Sequence, residues 1–372
     1  MDRTRQHVAF LDSLRAIAIL AVFAFHSLDV AFGGDQLPWG VWFRVFSLSK
    51  EFLFLLPTTF GWAGVAIFFA VSGFCIHLSY LRGTPGDWRG FFKRRFFRIY
   101  PPYLLAVFLF SIFAPARLLG VQIGSHVLLL QNCNRSWFFG INPAFWSIAV
   151  EAQLYLLYPL LLRLVRAIGW QTALLLLGAV EVSLRGAAGT FSFLTERDPS
   201  VLLTGSPFYF CYSWAIGAAL ADAFAAGRPL PFRSLSPAEW LTLAVATNFV
   251  RPLAQFSFLL FALATVSSIA RRLGKPQPTP PPGLFIRHLR WLGICSYSFY
   301  LLHFPIMAAL PRFLRALGIP SLPPFPLFFC CALTYPLIAA CSWIFYRYVE
   351  VPSIAWGKLL SIKSRLTAVR AS

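Results

Sequence analysis

Ten apolar stretches follow one another along the chain, separated by short segments rich in Arg, Gly and Pro. They read Val8–Phe32, Phe60–Leu81, Tyr100–Arg117, Ala144–Arg166, Gln171–Leu184, Leu202–Phe224, Trp240–Phe249, Leu253–Ala270, Trp291–Leu310 and Phe325–Tyr346. About 20 apolar residues in a helix cross the hydrocarbon core of a bilayer, and most of these stretches approach that length. Pro101 and Pro102 stand where the third begins, at positions whose N–H groups an α-helix leaves unpaired. Between the stretches the pattern predicts loops at Gly33–Pro57 and Leu118–Pro143, the second holding a short helix near Val121–Leu130. A basic connector fills Arg82–Arg98, and the linker Arg271–Arg290 carries KPQPTPPPG, which cannot be helical throughout. The fold class is therefore all-α, a polytopic membrane protein of about ten transmembrane helices. It forms a single membrane-embedded domain over residues 1–372, with its spans within about 8–350, a basic tail at 351–372 and no appended soluble domain expected.

Composition agrees. Hydrophobic residues make up 58% of the 372 and charged residues only 12%, against roughly a quarter charged in soluble domains. The net charge of +19 invites a nucleic-acid reading, but the cations stand between apolar runs, where an anionic membrane surface accounts for them. No nucleic-acid partner is expected; the lipid bilayer is. Segments on the N-terminal side of an alternating ten-span path hold 22 Lys and Arg, those on the opposite side nine. That bias places both termini in the cytoplasm of an inner-membrane protein. Seven cysteines, an odd number without C-x-x-C spacing, offer neither a disulfide framework nor a metal site.

Against this apolar background the buried polar residues stand out. The first stretch contains Arg15 and His26, eleven residues apart. At 100° and 1.5 Å per residue they fall within roughly 20° of one helix face and about 16 Å apart along the axis. Lipid-facing, such a pair would cost several kcal/mol, so the face should turn toward a polar interior. On the ten-span path, Glu151 comes out at a depth similar to His26, as a candidate to orient the imidazole as general base. His303, with Ser296 and Tyr300 at helical spacing, lies near mid-membrane. Arg94, Arg95 and Arg98 mark the cytoplasmic mouth of the third stretch, and Arg15 lies at the same end of the first. Arginines bind phosphate by charge-assisted, often bidentate hydrogen bonds. Phosphate-binding character at one end and acid/base character toward the other fit a phosphorylated donor such as coenzyme A, reaching its acyl end into the membrane.

Six segments carry a resemblance: LDSLRAIAILAVFAFH (Leu11–His26), GVAIFFAVSGF (Gly64–Phe74), RRFFRIYPPY (Arg94–Tyr103), FWSIAVEAQLYLLYP (Phe145–Pro159), CSYSFYLLHFP (Cys295–Pro305) and YRYVEVP (Tyr346–Pro352). Taken in this order, they resemble the acyltransferase-3 family of integral membrane O-acyltransferases. The resemblance implies transfer of an acyl group, most often acetyl from acetyl-CoA, to a hydroxyl of an extracytoplasmic or lipid-linked carbohydrate. It implies a catalytic role for His26 with Arg15 and Glu151, and donor binding by Arg95 and Arg98, with Arg94 and Arg15 alongside. No permanently bound cofactor is implied. His303, Tyr300 and Ser72 are additional candidates.

Plainer readings stand beside these. A histidine in a membrane span often only ties helices together, and His77 is expected to do so. Ser72 and Gly73 are expected to allow close helix approach, with Ser72 as an acylated nucleophile the lesser idea. Glu350 is expected to pair with a nearby arginine, while Glu181 and Asp222 have no assigned role. The rival function is a transporter or flippase of a glycolipid or small acid, using the same buried charges; a structural scaffold within a polysaccharide-assembly complex comes third.

Overall fold

The computed structural model describes residues 10–33, 54–84, 86–112, 119–273 and 283–360, and all regular structure among them is helical. Residues 1–9, 274–282 in the proline-rich linker, 361–372 of the basic tail and most of the Gly33–Pro57 loop lie outside the described residues. The helices are α1 (Phe10–Phe32), α2 (Gly64–Leu81), α3 (Trp88–Ser111), α4 (Leu119–Val127), α5 (Trp146–Thr195), α6 (Cys211–Ala225), α7 (Pro237–Thr247), α8 (Ser257–Leu273), α9 (Leu284–Ile294), α10 (Ser296–Ala316), α11 (Pro324–Ala332) and α12 (Tyr335–Phe345).

Six stretches among the described residues are long and apolar enough to cross a membrane, or seven if the bent pair α9–α10 is counted as one span. The chain is thus a multi-pass membrane protein, with fewer qualifying helices than the ten stretches read from the sequence. The α5 helix narrows the difference. Its 50 residues would reach about 75 Å unbroken, more than twice the hydrocarbon core. Gly169 breaks it with φ 78° and ψ 163°, a conformation open to glycine, so α5 holds two crossing lengths, as the fourth and fifth stretches require. By contrast, the 11 residues of α7 reach only about 16 Å, too short to cross alone.

Several boundaries differ from the sequence pattern, each for a visible reason. The basic connector is not a loop. Asp87 accepts a hydrogen bond from the Gly90 N–H at 2.8 Å and caps α3, which starts at Trp88 and runs straight through Pro101 and Pro102. Pro101 deprives the Phe97 carbonyl of its helical donor, and the Ser353 hydroxyl supplies a replacement. The ninth stretch is split at Cys295, with α9 and α10 meeting at 81°. Residues 351–360, assigned to the tail, continue the last helix.

α1 sits at the centre, packed against α2, α9, α10, α11 and the 3₁₀ turn Leu56–Ala63. The tightest pairing is α2 with α6, and glycine permits it. A Cβ on Gly73 would stand 2.0 Å from the Trp214 carbonyl oxygen, and one on Gly217 2.1 Å from that of Ala70. Two backbones touching through small residues is how helices associate where no water drives them together.

Candidate active site

The polar face of α1 opens on two cavities. The first, about 270 Å³, lies at the Arg15 end and is lined by Arg15, Arg95, Arg98, Ser72, Glu151, Tyr155, Ser296 and Tyr297. Arg15 is held from two sides: its guanidinium donates to Asp12 at 3.0 Å and to the Cys75 sulfur at 3.2 Å. Arg95 and Arg98 reach this cavity because they stand three apart on α3, which the connector's helical form provides. Arg94 turns elsewhere, with an ion pair to Asp87 at 3.9 Å, and does not line the cavity. Arg95 makes no ion pair among the described residues, and its Nε is buried without a hydrogen-bond partner there.

Glu151 belongs to this arginine-lined cavity. Its Oε1 accepts from the Ser72 hydroxyl at 2.6 Å and from the Tyr155 hydroxyl at 2.5 Å. Ser72 is in turn reached by the Trp214 indole N–H at 3.3 Å, so the helix contact at Gly73 and the carboxylate are tied together. Ser72 thus spends its hydrogen on Glu151. The pairing of Glu151 with His26 read from equal depth does not form.

His26 instead lines a second cavity of about 250 Å³, walled by Phe25, Trp62, Phe138, Trp146, Phe210 and Phe258. Its partner is His303: the His26 Nδ1 and the His303 Nε2 are 2.8 Å apart. Phe304 meets the His26 ring edge-on at 5.1 Å and Phe25 at 5.7 Å, restricting its rotation. Tyr300 lines both cavities. Its hydroxyl donates to the Ala144 carbonyl at 2.9 Å and stands 2.7 Å from the Ser147 hydroxyl, fixing it at the start of α5.

Arg185 also borders the second cavity, and sequence reading missed it by ending the fifth stretch at Leu184. It is buried inside α5 and donates to Glu181 at 2.9 Å, to the Tyr209 carbonyl at 2.9 Å and to the Gln255 carbonyl at 2.6 Å. Glu181 also accepts from the Ser213 backbone at 2.9 Å. A buried pair with this many partners ties helices together. The signal was present in the i, i+4 spacing of Glu181 and Arg185. His77 is bound between Tyr158, at 2.8 Å, and Asp222, at 3.1 Å, the tie expected of it. Glu350 accepts from Ser298 at 2.8 Å; among the described residues it makes no direct ion pair, and Arg98 and Arg15 act on it from longer range.

A family model described as an acyltransferase domain matches residues 8–347. Among curated proteins, the chain is 25% identical over 350 residues to the peptidoglycan O-acetyltransferase OatA of Listeria monocytogenes, covering 82% of this chain and 50% of that protein. It is 26% identical over 345 residues to the putative peptidoglycan O-acetyltransferase YrhL of Bacillus subtilis, again 82% of this chain and 50% of the relative. Nodulation protein 10 of Rhizobium leguminosarum is 25% identical over 344 residues, 83% of this chain and 85% of its own length. The chain spans about half the length of the two peptidoglycan relatives. No solved structure matches it.

Proposed function

The chain belongs to the acyltransferase-3 family, and from that premise we propose that it transfers an acetyl group from cytoplasmic acetyl-CoA to a carbohydrate hydroxyl across the inner membrane. The observation that carries this reading is the pair of cavities along α1, one lined by arginines and one by His26, with Tyr300 as their common wall. In the proposed topology ten spans place both termini and the arginine end in the cytoplasm. Arg95, Arg98 and Arg15 hold the donor's phosphates there by charge-assisted hydrogen bonds. An unpaired guanidinium with a buried Nε is the kind of group that an anionic ligand completes.

The acceptor sugar enters the aromatic cavity, where flat apolar rings suit the apolar face of a pyranose and His26 meets its hydroxyl. The His26 imidazole takes the hydroxyl proton as the oxygen attacks the thioester carbonyl carbon. The C–S bond breaks, the ester forms, and the proton leaves with the coenzyme A thiolate. Two relatives named as peptidoglycan O-acetyltransferases support acetyl as the group and a cell-wall glycan as the acceptor.

The test is incubation of the purified protein in proteoliposomes with radiolabelled acetyl-CoA and glycan. Label should appear on the glycan with the wild type and disappear with His26→Ala. Movement of intact glycan without label would make the protein a transporter, and unchanged labelling by His26→Ala would remove the imidazole from the mechanism.

A further inference from the structure

His303 is fully buried on α10 and lines neither cavity, yet it makes the hydrogen bond that decides the form of His26. The His303 Nδ1 lies 2.9 Å from the Tyr300 carbonyl oxygen and 3.2 Å from that of Phe299. Carbonyl oxygens only accept, so Nδ1 carries the hydrogen. A neutral imidazole has one N–H, which leaves the His303 Nε2 with a bare lone pair. The 2.8 Å contact then requires a hydrogen from the His26 Nδ1. One nitrogen of His26 remains, Nε2, and it is unprotonated.

The alternative arrangement, with His303 protonated on both nitrogens, would place a full charge in a site with no exposure. No carboxylate among the described residues hydrogen-bonds either ring, so nothing there compensates that charge. The neutral chain runs one way, from His26 Nδ1–H to His303 Nε2 and from His303 Nδ1–H to the α10 backbone.

We infer that His303 is a positioning residue that locks His26 in the Nδ1–H tautomer, making Nε2 the atom that receives the acceptor's proton. It occupies the place that a carboxylate takes behind the histidine of a serine hydrolase. A neutral acceptor does that work here without burying a negative charge in an apolar bundle. When Nε2 gains a proton, the charge is shared through the 2.8 Å bond with the second ring, and Nε2 gives the proton up as the thiolate leaves. Phe299 stacks on the His303 ring at 6.1 Å and 20°, which keeps Nε2 aimed.

The inference rests on the proposed base role of His26, and its test separates the two. In protein labelled with ¹⁵N-histidine and held in nanodiscs, the His26 signals are identified by their loss in His26→Gln. Nε2 should show the shift of an unprotonated ring nitrogen and Nδ1 that of a protonated one; the reverse pattern overturns the inference. Kinetics with acetyl-CoA and glycan supply the second arm. In His303→Gln the amide oxygen stands near the lost Nε2 and accepts the same hydrogen bond, so kcat should stay within about tenfold. His303→Leu has no acceptor and should lose on the order of 100-fold in kcat with both KM values unchanged. Equal loss in both variants would reduce His303 to packing and overturn the role, as would an unaffected leucine variant. If the leucine variant does not fold, the labelling pattern and the glutamine variant still decide. Failure of the base mechanism shows separately, as full activity of His26→Ala beside an unaltered wild-type tautomer.

Discussion

Replacing Arg95 by Gln should weaken donor binding without weakening the fold, and both halves follow from its surroundings. The guanidinium borders a 270 Å³ cavity, its Nε has no hydrogen-bond partner, and no carboxylate pairs with it among the described residues. Its one evident compensation is the Phe91 ring, 5.8 Å from the guanidinium carbon. A contact at that range contributes about 0.5–1 kcal/mol when exposed, whereas removing an ion from water costs several kcal/mol when nothing pairs with it. Arg95 is only partly buried, with Nε sealed off, so only part of that cost applies, and without ligand the arginine adds little or nothing to the fold. With an anionic donor in place the balance reverses, since a hydrogen bond to a charged group contributes about 1.5–3 kcal/mol. Its loss corresponds to a rise of about 10- to 150-fold in the donor KM, at about 1.4 kcal/mol per factor of ten. Meanwhile the ligand-free variant should melt at the wild-type temperature or above it. The assay is acetyl transfer at varied acetyl-CoA, beside thermal unfolding in detergent without donor. A variant that unfolds earlier and keeps its donor KM would make Arg95 a structural cation and remove the phosphate argument.

Two further outcomes concern the scaffold. Gly73→Ala should lower stability by about 1–3 kcal/mol, because a Cβ 2.0 Å from the Trp214 carbonyl oxygen forces α2 from α6; an unchanged melting temperature would show that the two helices yield freely. His126, on the short helix α4, is buried, and burial pushes its imidazole down to about 4. Its unfolded value is about 6.5, so between these limits the unfolded state binds more protons and stability falls as pH drops. The loss should reach about 2 kcal/mol at pH 5 and be absent at pH 8, read as thermal unfolding of wild type against His126→Gln. Equal pH dependence in the two proteins would contradict it.

How much of this was legible in the sequence depended on whether a feature is local. The α1 face with Arg15 and His26 follows from helical periodicity alone, and both residues do line cavities. Arg95 and Arg98 were found by charge, but their common cavity needed the connector to be helical. The prolines argued for a boundary there, and the Ser353 hydroxyl, some 250 residues away, removed that boundary's cause. The pairing of His26 failed for a related reason. Equal depth is a one-dimensional measure, and two helices at the same depth can face different cavities. Glu151 and His303 were both candidates, and only the packing of α5 and α10 around Tyr300 divides them. Arg185 shows the remaining failure, a cation assigned to a loop because charge was taken to end a span. Inside the bundle, Glu181 and two backbone carbonyls answer that charge.

The division between the cavities bears on the proposed reaction. In the proposed reaction a donor bound through its phosphates needs a polar chamber open to water, and the aromatic chamber at the far end of α1 receives the sugar. Joined without a barrier, the two would form a hydrated path through the bundle and leak protons and ions. Tyr300 lines both and is pinned to the Ala144 carbonyl, just before α5, and to the Ser147 hydroxyl in its first turn. Those bonds are ordinary neutral ones, each worth about 1 kcal/mol net. Bonds of that strength are within the reach of a bound ligand to break, so in the proposed reaction Tyr300 yields to the donor's acyl arm. His303 follows one turn later on α10, so the helix that carries the barrier also aims the base behind it. Glu151 follows Ser147 by one turn on α5, so the helix that holds Tyr300 also carries the carboxylate. In the proposed reaction the donor's acyl arm has to pass Tyr300 to reach His26, which places α5 and α10 on both sides of that step.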